Sequence, residues 1–273
     1  MNHKKCYSII FIQIEIENCP RSFVNDYEWN KFAGANKQKT DINLAIKKSE
    51  SVDYQVERYR MPQQYDQIMR YDSDVLVANE DWSLCTLLSL KDPMNLPVFL
   101  NHIYYSKAVF CHLIQCHSSL IEYCGEGILF LGPSGIGKTT QAELWNKYRN
   151  ARIINGDIVF VQETPDAFLG WGTPWHGSSP YCENTSVPVK ALIVLKQAPE
   201  NSIRELTGFE KVTAVSNNVF YPRWLEGGME LCLETLNHLL SALPVYELSC
   251  RPDEEAVRLT EEAVFGGRAQ LQI

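Results

Sequence analysis

The order of apolar and polar positions divides this chain into two regions of different rhythm. Ile12, Ile14 and Ile16 alternate with Gln13, Glu15 and Glu17, the period of a strand with one face buried, and Pro20 closes it. Residues 21–50 are mostly polar, with Asn, Lys and Asp clusters and scattered aromatics, and predict loop with a short helix. Alternation returns at Val52, Tyr54 and Val56. Val75 to Ala78, the Asn79-Glu80-Asp81 turn and Trp82 to Leu88 then predict a hairpin. The first ninety residues are therefore β-rich, with Tyr54, Tyr59 and Trp82 expected in core and sheet faces. From Pro97 the period lengthens. Phe99, Leu100, Ile103, Tyr104 and Lys107, then Val109 and Phe110, are spaced for an amphipathic helix, which places a boundary near Asp92 and divides the chain into 1–92 and 93–273.

Downstream, Ser119 to Cys124, the Gly125-Glu126-Gly127 turn and Ile128 to Leu131 predict a second hairpin, followed by a helix from Lys138 to about Arg149. Two short apolar runs within Arg152 to Val161 flank Asp157. A breaker-rich loop, Trp171-Gly172-Thr173-Pro174-Trp175-His176-Gly177, precedes a strand from Val187 to Lys196. Helices at Gly208 to Val215 and Trp224 to Leu243 follow, the second with Leu231, Leu236, Leu239 and Leu240 inward and weakened at its start by Gly227-Gly228. A strand at Val245 to Leu248 and a helix after Pro252 close the pattern.

Composition narrows the partners more than the fold. With 273 residues and 45% hydrophobic side chains, the chain can bury a sizeable core. A net charge of −8 without a Lys/Arg cluster speaks against nucleic acid and anionic membranes as partners. The nine cysteines are odd in number and scattered, which predicts reduced thiols and a cytoplasmic protein. The apolar run Cys6 to Ile12 leads at once into Gln13, Glu15 and Glu17 with no small-residue cleavage site, so a signal peptide is not expected, and no stretch is long enough to span a membrane. Cys111, His112, Cys116 and His117 match none of the usual zinc spacings. A homo-oligomer is compatible with the sequence.

The chemistry concentrates in Gly132-Pro133-Ser134-Gly135-Ile136-Gly137-Lys138-Thr139, which fits G-x-x-x-x-G-K-[ST] between a predicted strand and a predicted helix. Glycines let the backbone fold so that successive N–H groups face phosphate oxygens, and the following helix adds the positive end of its dipole. Gly132, Ser134, Gly135, Ile136, Gly137, Lys138, Thr139 and Thr140 are the expected nucleotide contacts. Lys138 is expected to reach the outer phosphates, and Thr139 to place its hydroxyl on Mg²⁺. Asp157 follows Lys138 by nineteen residues, one helix plus one strand, and is the natural second metal group and proton acceptor. His117 could orient or protonate near the phosphates, and His176 is a candidate for substrate contact.

From about His117 to Val161 the chain resembles the catalytic domain of HPr serine kinase/phosphorylase and, more distantly, the phosphoenolpyruvate carboxykinase type of phosphate-loop fold. The resemblance lies in His117-Ser118-Ser119, Gly132 to Thr139 and Arg152 to Asp157 at matching distances, and continues loosely through Thr173 to Gly177, Asn184 to Lys190 and Pro244 to Asp253. It looks like a short branch of that family, some of whose members accompany clusters for ribosomally made peptides. The resemblance implies an α/β phosphate-loop fold with a β-rich N-terminal region, ATP and Mg²⁺, and transfer of the γ-phosphoryl group to a hydroxyl, serine on a peptide or protein. It assigns catalysis to Lys138, Asp157 and His117 and the metal to Thr139 and Asp157. Two departures stand out. The family's acidic pair is Gly156-Asp157 here, and the later signature linked to dephosphorylation has no counterpart, so phosphorylase activity is not expected. Two other readings stay open: an ATP-binding switch or sensor without efficient transfer, and a small-metabolite kinase.

Overall fold

The structure, a computed structural model, describes residues 3–34, 40–48, 65–89 and 93–266. Contacts divide the chain into two compact units, Met1–Ala108 and Val109–Ile273, each built of helices and a mixed sheet. The boundary expected near Asp92, the alternation at Val52, Tyr54 and Val56, and Tyr59 lie outside the described residues.

The first unit contains β1 (Lys5–Ile9), β2 (Ile12–Glu17), the single-turn helices α1 (Arg21–Val24) and α2 (Tyr27–Asn30), β3 (Ile42–Lys48), β4 (Gln67–Tyr71), β5 (Asp74–Ala78), β6 (Leu84–Ser89) and α3 (Leu96–Ala108). Its sheet order is β1-β2-β3-β6-β5-β4, with β2, β3 and β6 parallel and the other pairs antiparallel. Ile14 and Ile16 are buried as their alternation predicts, and Trp82 lies in the core beside the β5–β6 hairpin. The loop expected over residues 21–50 needs correction. It contains β3, whose Ile42, Leu44 and Ile46 are buried at every second position between β2 and β6. Polar neighbours dilute that short alternation in any wider window, and only the pairing on both sides reveals it. Pro20 and Asp26 start the two short helices, the Asp26 carboxylate accepting from the amides of Glu28 and Trp29.

The second unit opens with one turn of 3₁₀ helix at Val109–Cys111. There follow β7 (Leu113–Tyr123), β8 (Glu126–Leu131), α4 (Lys138–Arg149), β9 (Arg152–Asn155), β10 (Ile158–Glu163), β11 (Phe168–Trp171) and β12 (Ser186–Gln197). β13 (Ser202–Glu205), α5 (Gly208–Ser216), β14 (Val219–Phe220), α6 (Gly228–Ala242), β15 (Val245–Cys250) and α7 (Glu254–Phe265) complete it. The sheet runs β11-β10-β7-β8-β12-β15-β13, with β9 and β14 also paired to β7. β8, β12 and β15 are parallel, so their C-terminal ends share one edge. The helix expected from Trp224 starts only at Gly228, because Gly227 takes a left-handed φ of 70° and no right-handed helix can run through it. Leu236, Leu239 and Leu240 face inward, whereas Leu231 is half-buried. β11, β13 and β14 are two to four residues long and too short to announce themselves by periodicity.

One cluster unites the sheet with α4 and α7. Trp145 is fully buried in it among Phe130, Ile193, Val257 and Phe265, with its ring edge-on to Tyr123 at 5.3 Å. Truncating a fully buried Trp costs about 3–5 kcal/mol. Trp145→Ala should therefore lower the urea midpoint of the second unit sharply, checked by tryptophan-independent circular dichroism.

Candidate active site

Strand register brings the expected chemistry together. On β7, His117 pairs with Ile158 of β10, and the next residue, Ser118, pairs with Leu131 at the end of β8. Asp157 and the start of the glycine turn are therefore each within a residue or two of His117. Two main-chain bonds fix the junction: His117 N–H donates to Asn218 O and Ser118 N–H to Asp157 O, both at 2.8 Å. The turn from Gly132 to Gly137 enters α4 directly, with Gly132, Gly135 and Gly137 all at positive φ. Ser119 Oγ donates to Lys138 O at 3.0 Å, which ties the first residue of α4 back to β7.

Lys138 is only 6% exposed. Its ammonium folds back into the turn, donating to Gly132 O at 3.0 Å and Pro133 O at 3.4 Å, and meets His117 Nε2 at 3.0 Å. The same imidazole nitrogen lies 3.1 Å from Asp157 Oδ1. One ring nitrogen thus stands between a cation and a carboxylate. Accepting from Lys138, Nε2 has no proton for Asp157; carrying a proton, it donates to Asp157 and offers Lys138 no lone pair. The three groups are therefore coupled through a single proton position. Burial lowers the Lys138 pKa from its ordinary 10.5, and the Asp157 charge opposes that shift without cancelling it.

Asp157 is held by two neighbours that no motif marks, Asn155 and Gly177. The Asn155 side chain, completely buried, accepts from the amides of Asp157 and Ile158 at 2.9 and 3.1 Å and donates to Thr173 O at 2.9 Å. This is a local turn of the kind Asn favours, and Asn two residues before the aspartate was its only sequence signal. Asn155 is thereby fully engaged in shaping the β9–β10 connection. Gly177 lies on the other side of Asp157, at φ 60°, where an added Cβ would come within 2.5 Å of Asp157 Oδ2. Gly177→Ala should displace that carboxylate and lower any Asp157-dependent rate by about tenfold or more, since small misplacements of a reacting group are costly. Unfolding midpoints measured beside the rates separate this from a loss of fold.

The remaining candidates divide. Ser134, Gly135 and Thr140 are exposed at the turn, and Gly132, Ile136, Gly137 and Thr139 complete it. Thr139 Oγ1 donates to Gly156 O at 3.2 Å, beside Asp157. His176 is half-buried, its Nδ1 against Ser179 O. The aromatic loop is less open than its composition suggests. Trp175 is buried against Phe160, and Trp171 Nε1 donates to Gln162 Oε1, so these rings anchor the loop to the sheet instead of facing outward. Glu183 pairs with Arg152 and Lys190 with Glu126, away from a shared centre. Phe220, exposed on β14 and 6.1 Å from the His117 ring, was not anticipated because a two-residue strand carries no pattern.

Among the described residues no group of three or more His, Cys, Asp or Glu side chains could hold a metal alone. The Thr139 hydroxyl and Asp157 carboxylate instead offer two oxygen donors, the kind of set with which Mg²⁺ is held when phosphates and water complete its shell. No helix among those residues is long and apolar enough to cross a membrane.

No family model matches the chain, and no curated protein matches it in sequence. Among solved structures it is similar to the Hpr(Ser) kinase/phosphatase from Coxiella burnetii, with 14% identity and a TM-score of 0.34, over 57% of this chain and 92% of that one. That likeness is distant. What this site can do follows from its own side chains.

Proposed function

We propose that the chain is a kinase that transfers the γ-phosphoryl group of ATP to a hydroxyl, serine on a peptide or protein, in the cytoplasm. The observation that carries this reading is the contact of one His117 nitrogen with both Lys138 and Asp157 beside a glycine turn entering a helix. Phosphoryl transfer asks a protein for few things: a cradle, positive charge on the outer phosphate, and a group that takes the acceptor's proton. The turn and α4 supply the first. The Lys138 ammonium supplies the second by leaving the carbonyls of Gly132 and Pro133 for phosphate oxygens. Asp157 supplies the third: as the acceptor oxygen bonds to phosphorus, its proton passes to the carboxylate, and the bond from phosphorus to the β–γ bridging oxygen breaks to release ADP. Thr139 and Asp157 would hold Mg²⁺, whose charge would offset that of the phosphates. His117 stands between its two partners and keeps Asp157 oriented.

One observation favours a second reading, an ATP-binding switch. Among the described residues Asp157 is the carboxylate paired with His117, and Asn155 is occupied by main-chain bonds, so it cannot share the work. Turnover separates the two. Incubated with Mg²⁺, ATP labelled at the γ-phosphate, a peptide library and a metabolite panel, the protein should label serine on polypeptide. Label only on a small molecule would move the acceptor to metabolites, and bound ATP without label on any acceptor would favour the switch.

A further inference from the structure

The C-terminal ends of parallel strands are where α/β sheets open crevices for ligands. At this edge, beside the glycine turn, a cavity of about 310 Å³ lies between the turn, α4 and the ends of β12 and β15. Ile136, Leu195, Ala198 and Pro252 give it apolar walls, Arg251 stands at its side, and Gln141 lines it from the second turn of α4. The size falls at the small end of ligand pockets, about 300–1,000 Å³. Gln141 is the informative residue. It is 3% exposed, its Nε2 donates to Cys250 Sγ at 3.3 Å, and its Oε1 has no hydrogen-bond partner among the described residues. A buried amide oxygen left unpaired is uncommon in folded proteins and calls for a donor.

We infer that this cavity takes the nucleoside of the phosphoryl donor and that Gln141 selects adenine, its carboxamide oxygen accepting from the exocyclic amine. The inference rests on the kinase reading of the neighbouring turn, because a nucleoside here reaches the loop only if its phosphates sit there. Shape and chemistry agree: Ile136 and Pro252 offer apolar surface to a flat ring, and Gly135 and Thr140 join the cavity to the phosphate turn. Cys250 takes one N–H of the carboxamide and leaves its oxygen without a partner, so Gln141 still has an acceptor to offer. Guanine presents a carbonyl oxygen where adenine presents the amine, and an acceptor facing an acceptor repels. The acidic partners Asp253 and Glu255 pair with Arg251 and keep its guanidinium at the rim.

Equilibrium binding of Mg²⁺ complexes of ADP, GDP and pyrophosphate tests the inference. The wild type should bind ADP at least about tenfold more tightly than GDP or pyrophosphate, the scale of one well-placed hydrogen bond plus ring burial. Gln141→Leu should bring ADP and GDP together and leave pyrophosphate unchanged. Ala198→Trp, which fills the cavity from just beyond the end of β12, should lower ADP affinity to that of pyrophosphate, and the unfolding midpoint of both variants reports their fold. ADP and pyrophosphate binding alike in the wild type would overturn the nucleoside site while leaving the phosphate turn standing. GDP binding as well as ADP, or selectivity surviving Gln141→Leu, would overturn the role of Gln141. Failure of all three compounds to bind would overturn both this inference and the kinase reading beneath it.

Discussion

Replacing Lys138 by methionine is expected to abolish function and stabilise the fold at once. Transfer should fall on the order of 10³-fold, a loss of several kcal/mol of electrostatic stabilisation of the migrating phosphoryl group. Stability should move the other way. The Lys138 ammonium is buried, and burial depresses its pKa, so the folded state holds the proton less readily than the unfolded chain does. That penalty is full below the lowered folded pKa and vanishes as pH approaches the unfolded value of 10.5, so wild-type stability from this group rises with pH across that window. Methionine, similar in volume and uncharged, carries no such penalty. The variant should therefore unfold at higher temperature than wild type at neutral pH, by about 2–4 °C for each kcal/mol removed, and the gain should shrink as pH rises towards the alkaline range. Calorimetric scans from neutral to alkaline pH check the sign, and a variant that melts earlier than wild type at neutral pH would contradict the buried-charge account.

Asp157→Asn is the second large effect. The substitution keeps shape and removes charge, so the bond that the residue's amide donates to Asn155 Oδ1 and the bond that its carbonyl accepts from Ser118 N–H survive. On the proposed reading two things are lost together: the proton acceptor and one of two oxygen donors for Mg²⁺. General-base removal alone costs about 10²–10⁴-fold. Nucleotide affinity should change far less, because phosphates are held mainly by main-chain N–H groups and Lys138. The expected result is a variant that binds ADP within a few-fold of wild type and transfers phosphate at least about a hundredfold more slowly. His117 also loses its anionic partner, which shifts its remaining contact towards Lys138.

How much of this was legible beforehand depended on length and locality. The glycine turn and α4 were readable because eight consecutive residues carry both the backbone geometry and the chemistry. α3, α4 and the hairpins β5–β6 and β7–β8 follow long runs of consistent period. β3 was missed because three isoleucine and leucine positions in a polar neighbourhood look like loop until β2 and β6 flank them. The site residues His117, Lys138 and Asp157 were named from motif and spacing, but their convergence on a single nitrogen depends on the register His117–Ile158 and Ser118–Leu131, which no local pattern encodes. Asn155 and Gly177 were invisible as parts of the site for the same reason: each acts through a neighbour brought to it by the chain fold. The aromatic residues of the breaker-rich loop carry no local signal of what they pack on: Trp175 is buried against Phe160 and Trp171 Nε1 donates to Gln162 Oε1, which holds that loop down.

Whether the turn, Lys138, His117 and Asp157 form one phosphoryl-transfer centre is decided by single-turnover transfer of label from γ-labelled Mg²⁺-ATP to polypeptide serine, with wild type and Asp157→Asn compared at matched ATP occupancy. The wild type should give phosphoserine, and the variant should do so at a rate at least about a hundredfold lower. Equal rates in the two proteins, or full ATP occupancy with no labelled product from either, would contradict it.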